Sequence, residues 1–478
     1  MNNEAYQTYS ARRMASWDAV ASQAARRGLD VGRSYRGMVA TLCTHSVPRG
    51  QSVLELGCGT GDLLNRLEPS RGVGVDFSSN MIELARARHP GLRFMCVDAH
   101  HFEISETFDY VILSDLVNDL WDVQEVLERL RPCCHSGTRV ILNFYSRLWQ
   151  GPLTLARTTK IARPLLPQNW LTVQDIAGLL VLSGFEAITH RREILLPFRI
   201  PLLTGFCNRF LVRLWPFSHL ALTNVVVARP VYAVESAAQK PRVTVLVPAR
   251  NEAGNIAAIF QRVPEMGSGT ELVFVEGHSS DNTYEAIERG IRENPTRQAV
   301  LLKQTGKGKG DAVRCGFAQA TGDILMILDA DLTVPPEILP RFYEALVSGR
   351  GEFINGVRLV YPMEDRAMQF FNLIANKAFG TLFTWLLGQP VKDTLCGTKV
   401  LWRRDYERIV ENRVYFGDFD PFGDFDLLFG AARLNRKIID IPVRYRERTY
   451  GTTNIQRWRH GVLLLRMVMV AARKMKFA

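Results

Sequence analysis

The chain has 478 residues, more than one domain ordinarily uses at about 100–200 residues each. At 47% hydrophobic and 22% charged it reads as ordinary globular protein, which sets aside disordered and fibrous classes. The net charge of +11 favours anionic partners without choosing among nucleic acid, phosphate-bearing metabolites and acidic membranes.

The first residues, MNNEAYQTYSARR, have no apolar core and do not read as a signal peptide. Residues 1–50 read mainly as helix, with MASWDAVASQAARRG as one segment. The eight cysteines are scattered, none in a C-x-x-C pair, and the adjacent Cys133 and Cys134 suit neither a normal disulfide nor zinc. A reducing compartment follows. From Val53 strands and helices alternate to about Val231, and a second series begins at Val243. Such alternation predicts two parallel-sheet α/β domains. The small, polar stretch AVESAAQKP (233–241) between them reads as the linker, giving domains at 1–232 and 242–478.

The first series opens with SVLELGCGTGDLLNRL (52–67), a strand, a glycine turn and a helix. Gly57, Gly59 and Gly61 let the backbone turn tightly and approach a ligand at the helix N-terminus. The strand GVGVDFS ends at Asp76, about 20 residues on, where a carboxylate takes ribose hydroxyls. FMCVDAH ends a third strand with Asp98, and FDYVILSDLVND a fourth at Ser114 and Asp115. A nicotinamide site is the main competitor, but its turn is G-x-G-x-x-G, and these glycines alternate.

In this form, E-x-G-C-G-T-G with its acidic partners, the region of about 40–225 resembles the class I S-adenosylmethionine-dependent methyltransferases. The resemblance implies a Rossmann-like seven-stranded domain that binds S-adenosyl-L-methionine. It carries Glu55, Gly57, Gly59 and Gly61 to the methionine end, Asp76 to the ribose, Asp98 to the adenine, and adds Ser114 to the cofactor-binding set. SDLVND lacks the proline pair and aromatic of amino-methylating nucleic-acid enzymes, which disfavours nucleic acid as the acceptor. No residue stands out as general base; His100, His101 and His135 are candidates by type alone. The greasy insertion Leu195 to Leu222 is open to two readings, an acceptor pocket or packing against the second domain.

The second series begins with PRVTVLVPARNEAGNIAAIF (241–260), then ELVFVEGHSSDNTYEAIERG (271–290) and LLKQTGKGKGDAVRCGFAQATGD (301–323). No Ser or Thr follows the lysines of the third segment, so it is not a Walker A loop. It still offers backbone amides and two ammonium groups to a phosphate. ILMILDADLTVPP (324–336) then places Asp329 and Asp331 just past a buried strand. Two such carboxylates repel unless a cation lies beside them. Mg2+ or Mn2+ shared between them and a nucleotide diphosphate would meet that need. The plain alternative, an acidic turn before a helix, explains Asp331 better than Asp329.

This half, from about 242 to 458, resembles the family-2 glycosyltransferases of GT-A fold, and within them the polyprenyl-phosphate sugar synthases. The resemblance implies a nucleotide-diphosphate sugar as donor, with Pro248, Arg250 and Glu252 at the base and ribose, and Glu276 and Asp281 in a second nucleotide turn. The family usually has two adjacent aspartates where this chain has Glu276 and Gly277, which leaves the base open. It carries Lys309 and Asp311 to the G-K-G-x-A segment, Asp329 and Asp331 to the metal, and Asp393 to the sugar site, with Arg358, at the end of the strand FINGVRLV, in the nucleotide-sugar-binding set. VKDTLCGTKVLWRRD (391–405) holds Asp393 and the glycine after it. Asp424 and Asp426 open a helix as candidate bases, and Arg448 precedes a Y-G-T-T-N loop expected to close over the pyrophosphate.

Three apolar stretches, near 194–227, 370–391 and 461–470, are interrupted by Arg or Lys and do not read as spans. The basic tail Arg444 to Lys476 and the segment FFNLIANKAFGTLFTWLL suggest peripheral contact with a membrane. The combined expectation is a cytoplasmic bifunctional enzyme at the inner face of a membrane. It would transfer a sugar, with inversion, to a lipid-phosphate or glycoconjugate acceptor and methylate a small molecule or glycoconjugate. The alternative is a glycosyltransferase whose N-terminal domain is a non-catalytic cofactor-binding module or scaffold.

Overall fold

The computed structural model describes residues 3–24, 31–159, 166–232, 240–361, 370–412, 423–448, 450 and 465–477. The chain folds as two compact units, 1–232 and 233–478. Most of the expected linker, 233–239, lies outside the described residues.

The first unit is built on seven strands: β1 Ser52–Leu56, β2 Arg71–Asp76, β3 Arg93–Cys96, β4 Phe108–Ser114, β5 Cys134–Tyr145, β6 Phe185–Glu193 and β7 Thr223–Pro230. Their order is β3-β2-β1-β4-β5-β7-β6. Side chains alternate across a strand, and here both faces are covered, so the strands read as near-continuous apolar runs. Leu54, Val73, Val111 and Leu142 pack on one face with Val126, Leu127, Ile176 and Leu180 from the covering helices. Val53, Tyr110, Ile112 and Val227 pack on the other with Val39, Cys43, Ile82 and Ala85.

The second unit holds β8 Val243–Ala249, β9 Thr270–Glu276, β10 Ala299–Lys303, β11 Ile324–Ile327, β12 Phe353–Val357, β13 Lys399–Trp402 and β14 Ile438–Pro442. Their order is β10-β9-β8-β11-β13-β12-β14. The core again lies on both faces, with Val243, Val245 and Val247 on one and Leu246, Leu325 and Ile327 on the other.

Neither sheet is all-parallel, which corrects the expectation from alternation. β7 runs antiparallel to both β5 and β6, and β13 antiparallel to both β11 and β12. Residues 194–222 return the chain at the sheet end where β6 finishes, so β7 must run back. Strand–helix alternation reports the order of elements and not the direction in which a strand re-enters.

β1 lies between β2 and β4, and β8 between β9 and β11. At each of these points the strand order reverses, and the crevice beyond the carboxyl ends is where ligands settle in open α/β sheets. Among the described residues no helix is long and apolar enough to cross a membrane. The helix Phe370–Leu387 buries Phe383, Leu386 and Leu387 in the core of its unit, and Phe383 stacks on Phe429 with ring centroids 5.5 Å apart. That part of the segment serves the interior and is not a membrane-facing patch.

Candidate active sites

In the first unit the turn after β1 opens beside the end of β2. Gly57 has φ 71°, and a Cβ there would come 2.9 Å from Leu116 Cδ1. Gly59 donates its N–H to Asp76 Oδ2 at 2.9 Å, and Ser78 donates its N–H to Asp76 Oδ1 at 2.9 Å. Burial pushes Asp76 above the usual carboxylate range, and these two amides work against it. Each oxygen keeps acceptor capacity for a further donor. Gly57, Gly59, Asp76, Asp98 and Ser114 all line one cavity, of about 830 Å³ including its open mouth.

Asp98 lies two residues past β3. His100 donates to Asp98 Oδ1 from its backbone N–H at 2.9 Å and from Nδ1 at 2.8 Å, and the Ser10 hydroxyl donates to Oδ2 at 2.8 Å. Burial alone would raise Asp98, but these donors hold it well below the usual range. His100 Nε2 accepts from the Asp122 N–H at 3.2 Å, which leaves the ring proton on Nδ1, facing Asp98. His100 is thus committed to positioning Asp98. His135 accepts from the Gly137 N–H and lies 3.4 Å from Asp109, and neither His101 nor His135 lines the cavity.

Asp115 follows β4 with φ 54° and lines the cavity with both neighbours. Tyr35 Oη donates to Asp115 Oδ1 at 2.9 Å and Asn143 Nδ2 donates to the same oxygen at 2.7 Å. Burial pushes Asp115 up to about 7, against the Tyr35 hydrogen bond. A buried carboxyl poised near neutrality beside a cavity has the properties of an acid–base group.

The N-terminal helix Asn3–Ala24 supplies one wall. Tyr6, Tyr9, Ser10, Arg13 and Trp17 recur at spacings of three and four residues and face the cavity together. Arg13 pairs with Asp119; Arg13 is buried and Asp119 half-buried. Glu55 lies beneath the turn and is not part of the cavity wall. It is 2% exposed, with Oε2 unpartnered, and burial raises its pKa well above normal.

In the second unit the two turns expected to hold a nucleotide interlock. The Asn251 N–H donates to Ser279 Oγ at 3.0 Å, and the Glu252 N–H to Thr283 Oγ1 at 2.9 Å. Asp281 Oδ1 accepts from the Thr283 N–H at 3.1 Å. Glu276, at the end of β9, accepts from the Ser279 N–H. Pro248, next to the last residue of β8, is half-buried and Arg250 is exposed.

Asp329 and Asp331 emerge from β11 next to these turns. Lys309 Nζ lies 2.7 Å from Asp329 Oδ1. Burial would raise Asp329, but Lys309, with Arg358 and Lys399 further away, outweighs it and holds the carboxyl below its ordinary value. Arg448 donates from Nη2 to Asp331 Oδ2 at 2.7 Å and from Nη1 to Glu252 Oε1 at 2.9 Å. One guanidinium therefore joins Asp331 to Glu252 in the turn after β8. A Cβ at Gly254 would meet the Tyr450 ring, so the chain on both sides of 449 lies on that turn. Residues 451–454 of the expected closing loop lie outside the described residues.

Gly397 is a tight contact in this site: a Cβ there would overlap the Asp329 carboxylate and the Lys309 ammonium. Gly423, with φ 73°, sets the start of the helix Asp424–Arg433 against Gly310, where a Cβ would lie 2.7 Å from its Cα. Asp426 is buried in that helix; the Asp424 side chain lies outside the described residues. Asp311 turns back to accept the Gly306 N–H at 2.9 Å and closes its own loop. Arg358 grips Asp393 with Nε at 2.7 Å and Nη2 at 2.9 Å, a buried two-pronged pair beside Asp329.

Asp329 and Asp331 offer hard oxygen donors of the type that suits Mg2+ or Mn2+. Among the described residues no group of three or more His, Cys, Asp or Glu could cage a metal. A cation held by these two aspartates would need oxygens from outside the protein, as a diphosphate provides. The residues fit the group in that sense.

Residues 53–137 match the model of a methyltransferase domain, and residues 244–409 that of glycosyl transferase family 2. The chain joins these two transferase domains. The glycosyltransferase domain is similar to a dolichol-phosphate mannosyltransferase of Pyrococcus furiosus, 26% identical over 223 residues, covering 45% of this chain and 59% of that protein. It is also similar to an undecaprenyl-phosphate 4-deoxy-4-formamido-L-arabinose transferase of Edwardsiella ictaluri, 26% identical over 213 residues, covering 44% and 61%. The chain thus spans about three fifths of the length of these curated relatives. An S-adenosylmethionine-dependent methyltransferase of Mesorhizobium loti is similar to the other domain, at 18% identity and TM-score 0.31, covering 40% of this chain and 96% of that one.

The methyltransferase domain contains contributors that the motifs did not reveal: the inward face of the N-terminal helix, Asp119, and the Tyr35–Asn143 support of Asp115. The spacing of Tyr6, Tyr9, Arg13 and Trp17 was the available signal. In the glycosyltransferase domain the role of Gly397 as the gap beside Asp329 required coordinates.

Proposed function

We propose that the chain is a bifunctional enzyme that transfers a sugar from a nucleotide diphosphate to a lipid-linked phosphate and methylates a small-molecule or glycoconjugate acceptor. The observation that carries the sugar transfer is Arg448 bridging Asp331 and Glu252 beside the Lys309–Asp329 pair. Five charged groups, three carboxylates and two cations, pair at a strand-end crevice, and each suits a part of the donor. Glu252, Asp281 and the turns they brace hold the base and ribose, with Pro248, Arg250 and Glu276 alongside. Asp329 and Asp331 would hold the divalent cation, Mg2+ or Mn2+, which supplies charge stabilisation to the leaving diphosphate. Lys309 and Arg448 offer the same diphosphate their own positive charge. Arg358 and Asp393 form the buried floor near the sugar, and Asp311 shapes the lysine loop.

The relatives' names, which specify dolichol phosphate and undecaprenyl phosphate, support a polyprenyl phosphate as acceptor. An acceptor phosphate is already anionic and needs no base. A hydroxyl acceptor would need one, and Asp426 or Asp424 is the choice.

In the methyltransferase domain the 57–61 turn and Asp76 take the methionine and ribose ends of S-adenosyl-L-methionine, which supplies the methyl group. Asp98, fixed by His100 and Ser10, faces the adenine, and Ser114 completes the wall. Asp115 is placed to take a proton from the methyl acceptor. The cavity itself supports this assignment, since Gly57, Gly59, Asp76 and Asp98 all open onto it.

The test is transfer of radiolabelled sugar from a panel of nucleotide sugars to polyprenyl phosphate. Asp329→Asn with Asp331→Asn is expected to reduce transfer on the order of 100-fold or more, as does chelation of the metal. Undiminished transfer in the double variant would remove the metal role.

A further inference from the structure

The methyltransferase domain carries an unusual surface at residues 195–222. Its neck is closed by the Leu222 N–H donating to Ile194 O at 2.7 Å. Its own polar groups pair with part of its backbone: Asn208 Oδ1 accepts from the N–H groups of Leu195 and Leu196, both at 2.8 Å, and Thr204 Oγ1 accepts from Ile200. This internal pairing leaves large apolar side chains to face outward. Leu202 is 93% exposed and Trp215 81%, with Phe198, Phe206 and Leu220 about half exposed. Trp149 donates to Leu220 O at 2.9 Å and so brings the helix Gln150–Thr158 alongside. Isolated apolar residues on a surface need no explanation, but a dense run of them marks an interaction site.

Charge selects the partner. Residues 195–222 contain no Asp or Glu. Arg199 and Arg209 are exposed among the apolar side chains, and Arg213 is held through its pair with Glu193. Tryptophan, phenylalanine and leucine beside arginine, without a carboxylate, is the composition of a segment that lies in the interface of an anionic bilayer. Position agrees. Glu193 pairs with Thr223 at the end of the sheet where β4 gives way to Asp115, and Tyr35 reaches both Asp115 and Thr223 Oγ1. The surface therefore stands at the same sheet end as the cofactor cavity.

We infer that residues 195–222 dock the methyltransferase domain onto an anionic lipid bilayer, with the apolar tips entering the headgroup boundary and the cavity end turned toward the membrane. This inference is independent of the acceptor assigned to the glycosyltransferase domain, because it concerns lipid surface and not polyprenyl phosphate.

The test is flotation of the full chain with vesicles of phosphatidylcholine, with and without phosphatidylglycerol, both free of polyprenyl phosphate. Wild type is expected to float with the anionic vesicles, and Leu202→Asp with Trp215→Glu to bind about tenfold more weakly or worse. Unchanged melting and S-adenosylmethionine binding would show that the variant is folded. In vesicles with brominated acyl chains, tryptophan quenching is expected to fall in Trp215→Phe. Flotation of the double variant equal to wild type would assign membrane binding elsewhere, such as the basic region 444–476, and overturn the inference. So would absence of flotation. Self-association lost in the variant, without vesicle binding, would make the surface a contact between copies of the chain.

Discussion

Asp115 is the carboxyl of the first unit's cavity that we propose as the proton acceptor in methyl transfer. Burial raises it to about 7, while Tyr35 and Asn143 donate to the same oxygen and keep the anion accessible. Two opposite pH dependences follow. A base must be ionised, so methyl transfer is expected to rise with pH through about 7 and then level. Stability should move the other way. The folded pKa lies above the unfolded value near 3.9, so the fold binds more protons than the unfolded chain between these values. The stabilisation is complete below about pH 4 and is lost as pH rises through about 7, up to roughly 4 kcal/mol in all. Asp115→Asn is expected to abolish transfer while flattening that part of the stability–pH curve, measured by urea denaturation. A variant whose denaturation keeps the wild-type slope between pH 4 and 7 would show that another group carries the proton.

The N-terminal helix Asn3–Ala24 shows how an element becomes part of a site through partners distant in sequence. Arg13 reaches Asp119, and Ser10 reaches Asp98, from one face. Arg13→Ala leaves the half-buried Asp119 without its cation. Burial already raises Asp119, so it answers partly by taking a proton, and the expected cost is roughly 1–3 kcal/mol. Hydrogen exchange should rise along residues 3–24 and affinity for S-adenosylmethionine should fall, with Asp119→Asn in the Arg13→Ala background restoring part of both. Exchange unchanged across the helix would mean that the pair does not hold it. Little of this was legible in the sequence, because Tyr6, Ser10 and Arg13 acquire meaning only from residues about a hundred positions away. The glycine turn and the strand ends were legible for the opposite reason. A left-handed turn favours glycine locally, and a buried strand writes its apolar run into consecutive residues. Asp329 and Asp331 stood out as charges directly after such a run. Their neutralisation by Lys309 and Arg448 did not, since those partners arrive from other elements.

At the scale of the molecule, each unit has its own seven-stranded sheet, its own core and its own strand-order reversal. Cores of separate units bury separate apolar surfaces, so each unit should melt cooperatively in its own right. A ligand that binds one folded unit stabilises that unit by mass action, about 2.7 kcal/mol at roughly a hundredfold excess over Kd. For units of this size that corresponds to a shift of about 5–10 °C. Calorimetry of the full chain is therefore expected to resolve two transitions. S-adenosylmethionine should raise one and leave the other in place; Mn2+ with the preferred nucleotide sugar should do the reverse. Asp76→Ala should cancel the first response alone, by removing the carboxylate that closes the glycine turn. Asp329→Asn should cancel the second alone, by removing one of the two carboxylates next to Lys309 and Arg448. A single transition moved by either ligand, or loss of both responses in either variant, would mean that the two units share their stability, and the two activities would then have to be treated as coupled.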